Sequence, residues 1–136
     1  MSTFLENQNW RYATKKYDAS KIITTEDLNT LKEAIRLSSS SYGLQLYKVF
    51  IVDNPELRAQ LQPAAWGQTQ ITEASHLFVF ANQTTVDAED IEGYLKNAEQ
   101  TRSLPEGTLN GYGDFMKGSL LNLKKKKKKV WTAKQT

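Results

Sequence analysis

The chain has 136 residues, 39% of them hydrophobic and 24% charged, which bounds it at one domain able to bury about two-thirds of its unfolded surface. It has no cysteine and a single histidine, His76, which excludes disulfides, thiolate chemistry, cysteine-ligated metal and any multi-histidine metal site. The formal charge of +3 owes its sign to one run, Lys124–Lys129; without those six the balance is 12 basic residues against 15 acidic.

In chain order, "MSTFLENQNW" lacks the basic n-region and apolar run of a secretory signal, and no stretch of about 18 apolar residues follows to span a membrane. Within it "TFLENQNWRY", with Phe4, Leu5, Trp10 and Tyr12, predicts a short helix. "TTEDLNTLKEAIRLS" predicts a second. Thr24 or Thr25 caps it, Glu26 and Asp27 suit its positive end, and Leu28, Leu31 and Ile35 share one face. A loop of small hydroxyl side chains follows, "SSSSYG" at 38–43, and then an apolar, β-branched strand, "YKVFIVD" at 47–53. Asp53 or Asn54 caps the next helix, "NPELRAQLQPAA", with Pro55 in its first turn. The second strand, "SHLFVFAN" at 75–82, is so continuously apolar that burial on both faces is expected. A helix from Asp87 to Gln100 precedes a polar, Gly-rich connection, "SLPEGTLNGYG", and a helix over "DFMKGSLLNL". After the lysine run, "VWTAKQT" starts a helix that stops without a C-cap. The pattern is α/β or α+β, with neither an internal repeat nor a domain boundary.

Four features carry possible chemistry. "RYATKKYD", residues 11–18, is either a solvated basic loop or an anion site; in a helix or turn Arg11 and Lys15, four apart, could converge on one phosphate. "SSSSYG" is either a polar linker or a hydrogen-bonding lip around a ligand. Gln68 and Gln70 are either exposed amides or readers of the polar edge of a heterocycle. His76, at a strand start, reads as a structural residue rather than a ligand or catalyst. The glycines form no phosphate-loop or dinucleotide fingerprint. The run Lys124–Lys129 reads as a solvated stretch; nucleic acid is disfavoured as a partner because basic charge is not spread over a face.

Taken in order, "RYATKKYDASK", "SSSSYGLQLYKVFIVDN", "AAWGQTQITEASHLFVFA" and "VWTAKQT" make the chain similar to the nitroreductase family of FMN-dependent NAD(P)H oxidoreductases, nearest its oxygen-insensitive nitroreductase and dihydropteridine-reductase-like branch. The resemblance implies an α+β, nitroreductase-like fold, of which residues 1–136 are the N-terminal portion as a single incomplete domain lacking the central helix and C-terminal part. It implies a cytoplasmic homodimer with FMN at the dimer interface and a small-molecule electron acceptor such as a quinone or nitroaromatic, reduced by a ping-pong route. Arg11 then contacts the FMN phosphate, Lys15 the ribityl chain and pyrimidine edge, and Tyr12, Ala13 and Thr14 frame the cofactor. Ser39, Ser40 and Ser41 lie in the loop that a partner subunit supplies, followed by Gln45. Gln68 and Gln70 fall at polar contacts to the flavin and nicotinamide, and Tyr112 and Phe115 line the substrate pocket. No metal and no dedicated acid–base residue is implied. Where the family has prolines this chain has Ser39 and Leu46, which is expected to loosen the loop. The alternatives kept open are a non-catalytic remnant acting as an interaction protein and polyanion binding through Lys124–Lys129.

Overall fold

A computed structural model describes residues 2–136. The chain is α+β: α1 (Ser2–Trp10), α2 (Thr25–Leu37), β1 (Tyr47–Val52), α3 (Pro55–Leu61), α4 (Gln70–Glu73), β2 (Leu77–Asn82), α5 (Ala88–Thr101), α6 (Asn110–Leu120) and α7 (Lys125–Ala133). It divides into two compact units. The first runs to Leu28 and from Ile51 to Phe78; the second comprises Asn29–Phe50 and Val79–Thr136. The strands form a two-stranded antiparallel sheet, and the Gln83 N–H extends the ladder by donating to the Leu46 carbonyl at 2.8 Å.

Helix starts follow local chemistry. Thr24 Oγ1 accepts from the Asp27 N–H (3.0 Å), and Asn54 Oδ1 from the Leu57 N–H (2.7 Å). Asp87 and Asp90 form a reciprocal capping box on α5. α6 has no such cap of its own and is started from outside. The carboxylate of Glu99, buried on α5, accepts from the N–H groups of Gly107 (3.2 Å) and Leu109 (2.8 Å). That anchor lets α6 begin at Asn110, earlier than "DFMKGSLLNL" alone predicts.

The core lies in the second unit. Val86, Ile91 and Met116 are fully buried there, with Leu46, Leu95 and Leu120 beside them. At about 1.5–3 kcal/mol per buried side chain these residues dominate the unit's stability. α5 and α6 approach closely at Gly113, where an added Cβ would stand 2.5 Å from Leu95 Cδ1.

Three expectations are corrected. β2 is not buried on both faces: among the described residues its neighbours Val79 and Phe80, on opposite faces of the strand, both remain open, Phe80 at 48% exposure. The lysine run is solvated but not irregular: Lys125–Lys129 form the first half of α7, so that helix begins before "VWTAKQT", while Lys124–Lys127 and Lys129 stay exposed. Like charges there oppose the helix, but the Lys128 ammonium donates to the Val86 carbonyl (3.1 Å) and Thr132, fully buried, takes the helix into the core. Finally, α1 stops at Trp10 and residues 11–18 are neither helix nor strand, so helical spacing does not bring Arg11 and Lys15 together.

Ile91→Ala should cost about 2–5 kcal/mol in urea denaturation. Phe50→Thr, at a half-exposed strand position, should cost about 0.5 kcal/mol or less.

Candidate functional site

The residues that the sequence singles out fall into two groups, one in each unit. In the first unit, Arg11 continues the end of α1, its N–H bonded to the Asn7 carbonyl (3.0 Å) and its Nε to Gln8 Oε1 (2.6 Å). Both Nη atoms of its guanidinium stay uncommitted, and neither Arg11, Lys15 nor Lys16 makes a salt bridge among the described residues. Tyr12, Ala13 and Lys15 are exposed and Thr14 is half-buried. The segment is irregular but tethered: the Gln70 amide donates to the Thr14 carbonyl (3.4 Å), and the Tyr17 N–H to Glu73 Oε2 (3.1 Å). The turn after it is closed by Asp18, which accepts from the hydroxyl and N–H of Ser20; these hydrogen bonds hold its carboxyl below the usual range. Thus Thr14 and Gln70 are brought together. Gln68 remains exposed beside Trp66 and Gly67, both at positive φ, with the Trp66 indole 92% exposed.

His76 keeps the structural part its sequence position suggests, its Nδ1 2.8 Å from Ser75 Oγ.

In the second unit, the serine loop is held in a fixed path. Tyr42, Gly43 and Gln45 all have positive φ (60°, 76° and 45°). At Gly43 the Tyr94 ring leaves no room for a side chain, an added Cβ meeting Cε2 at 2.9 Å. Ser40 Oγ accepts from the Gln45 N–H (2.9 Å), and the Ser41 N–H donates to Gln135 Oε1 (2.9 Å). The Gln45 amide donates to the carbonyls of Arg36 (2.9 Å) and Ser38 (3.1 Å), which leaves its own oxygen for other partners. Ser39 and Ser41 are exposed and Ser40 half-buried. This network and the burial of Leu46 hold the loop through positions 39–46.

Tyr42 joins the loop to the residues assigned to a substrate pocket. Its ring centre lies 6.4 Å from Tyr112, 6.2 Å from Phe115 and 6.2 Å from Trp131. These are tilted and edge-on aromatic contacts, with Tyr112 and Phe115 still open to solvent. Burial raises the Tyr112 phenol above the ordinary tyrosine range, reinforced by the phenols of Tyr94 and Tyr42.

Sequence reasoning missed Arg58, Glu73, Tyr42 and Gln135, whose parts depend on partners 13 to 94 residues away or on an aromatic cluster closed only by folding. No short-range pattern marks them.

The Nitroreductase family profile matches residues 9–134, and the chain belongs to that family. YfkO of Bacillus subtilis, provisionally named an NAD(P)H nitroreductase, is 33% identical over 139 aligned residues, covering 97% of this chain and 63% of that protein. The major NAD(P)H-flavin oxidoreductase of Aliivibrio fischeri is 33% identical over 107, covering 75% of this chain and 48% of that protein. The chain therefore spans less than two-thirds of the curated relatives it matches. Among solved structures, YdfN of Bacillus subtilis has a TM-score of 0.84 at 19% identity, over 99% of this chain and 65% of that one. An FMN complex from Exiguobacterium sibiricum has a TM-score of 0.75 at 20% identity, over 97% and 63%. These likenesses show the nitroreductase-like fold.

Because the folded chain holds the Tyr112 proton more tightly than the unfolded chain does, stability should fall as pH rises from about 10 through the raised folded value. Tyr112→Phe should flatten that alkaline decline in urea midpoints measured between pH 9 and 11; an unchanged slope would refute the assignment.

Proposed function

We propose that this chain of the nitroreductase family carries part of the pocket of an FMN-dependent NAD(P)H oxidoreductase, which reduces quinone or nitroaromatic acceptors by two electrons in ping-pong order and acts as a homodimer. The observation that carries this reading is the tethered segment Arg11–Lys15. Cations free of carboxylate partners, among the described residues, stand on an irregular backbone that α4 holds through Gln70. Such a donor set fits a phosphorylated, anionic cofactor: the two Nη atoms of Arg11 can engage a phosphate ester as a fork, and Lys15 offers a separate point charge to the ring end.

The chemistry that bound FMN supplies is two-electron transfer between NAD(P)H and the acceptor. The chain's own residues bind and orient. Arg11 holds the phosphate, Lys15 favours negative charge at the pyrimidine edge, and Tyr12, Ala13 and Thr14 frame the cofactor with backbone. Gln68 and Gln70 supply amide contacts, Gln70 keeping its carbonyl oxygen after its donation to Thr14. The exposed hydroxyls of Ser39 and Ser41, with Ser40 and the Gln45 oxygen, serve the cofactor of the partner subunit. Tyr112 and Phe115 offer an open aromatic surface against which a planar acceptor can stack.

A second reading, polyanion retention by α7, draws on Lys124–Lys127 and Lys129, which have no carboxylate partner among the described residues. Replacing Lys124–Lys127 with glutamine should then abolish salt-sensitive DNA retention; unchanged retention removes this reading.

Titration with FMN should yield a yellow complex, and Arg11→Ala should weaken it by about 1.5–3 kcal/mol, or roughly 10- to 150-fold. An unaltered affinity rejects the Arg11 assignment, and a chain that takes up no FMN rejects the flavin reading. With NADH and a quinone varied together, reciprocal plots should be parallel; intersecting lines reject the ping-pong order.

A further inference from the structure

Arg58, on α3, is only 6% exposed, yet no carboxylate lies within salt-bridge distance among the described residues. A buried cation without a counterion is costly unless its donors are met by strong dipoles. Here they are. Nε donates to the Ile71 carbonyl (2.7 Å), one Nη to Ser75 (3.3 Å), and the other to Ala74. All three acceptors belong to α4 or to the two residues after it, where carbonyls lack helical partners and carry the negative end of the turn's dipole.

That same short stretch holds the basic segment from its other atoms. The Gln70 amide takes the Thr14 carbonyl, the Glu73 carboxylate takes the Tyr17 N–H, and the Ser75 hydroxyl takes the Ile23 N–H at 3.0 Å. Positions 14, 17 and 23 thus meet 70, 73 and 75 in the same chain order. Among the described residues these are the hydrogen bonds that connect residues 11–23 to more distant parts of the chain. α4 is a single turn of four residues, too short to keep its own geometry. From outside the turn, Arg58 adds three hydrogen bonds to its end.

We propose that Arg58 is a positioning residue for the anion-binding segment: its buried guanidinium fixes the carbonyls of residues 71, 74 and 75, and the turn so fixed sets the path of residues 14–23 that presents Arg11 and Lys15. The inference rests on the flavin reading only for what those two cations hold; the mechanical link stands on the hydrogen bonds alone. A planar fork serving three divergent carbonyls is a property of arginine that a single ammonium does not reproduce.

Amide hydrogen exchange on the unliganded chain separates the two claims. In Arg58→Lys, the Tyr17 and Ile23 amides should exchange at least tenfold faster, while the Leu95 and Ala98 amides of α5 stay within twofold. Rates unchanged at Tyr17 and Ile23, or accelerated everywhere alike, would overturn the proposal. In the unmodified chain, the Arg58 Nε–H and the Tyr17 and Ile23 amides should follow one common opening isotherm in low urea. Separate isotherms would overturn it even if the variant does not fold. For the flavin end, the FMN Kd of Arg58→Lys should rise about tenfold with α5 exchange unmoved. An unmodified chain that binds no FMN removes the flavin reading, and the exchange data still decide the link.

Discussion

An irregular backbone keeps a fixed path only where its N–H and C=O groups find partners, and in this protein those partners are polar side chains sent from other segments. Arg58 takes three carbonyls in and just after one turn of helix, Glu99 takes two N–H groups ahead of α6, Gln45 takes two carbonyls at the end of α2, and Gln70 takes Thr14. Among the described residues no buried side-chain donor or acceptor is left without a partner. The regular elements are short and the sheet has two strands, so ladders alone could not organise the chain. Removing Arg58, Glu99 or Gln45 would strand two or more main-chain groups at once, which gives each an effect beyond a single contact.

The same device shapes the candidate pocket. Flavin and phosphate recognition needs cations and hydrogen-bond donors that are open to a ligand yet held in place. In the basic segment Arg11 and Lys15 are exposed, and the backbone between and after them is tied to α4. In the serine loop three residues at positive φ set the turn, Ser40 and Gln45 lock it, and Ser39 and Ser41 remain exposed. In both segments the residues whose side chains hold the backbone are not the ones left exposed.

Much of the fold was legible in the sequence because its signals are local. Thr24, Asn54–Pro55 and Asp87 announce helix starts through contacts within three residues, and both strands follow from apolar β-branched runs. The family was legible through the order of its motifs rather than through any one of them. Burial was misread at β2, since an apolar run reports what a strand can bury and not whether a layer exists to cover it. The start of α6 and the helical lysines of α7 were also misread. Each is decided by a distant partner, Glu99 in one case and Val86 in the other.

By itself, then, the sequence determined the α+β class, the capped helices and the family, because periodicity, capping and motif order act within a few residues or persist along the chain. Only the tertiary structure decided that Arg58 is a buried cation answered by carbonyls, that α4 and the basic segment meet in the same chain order, and that Tyr42 gathers Tyr112, Phe115 and Trp131. Those outcomes depend on which groups meet across tens of residues, where a buried polar group takes whatever complementary partner the chain's path brings within hydrogen-bond reach.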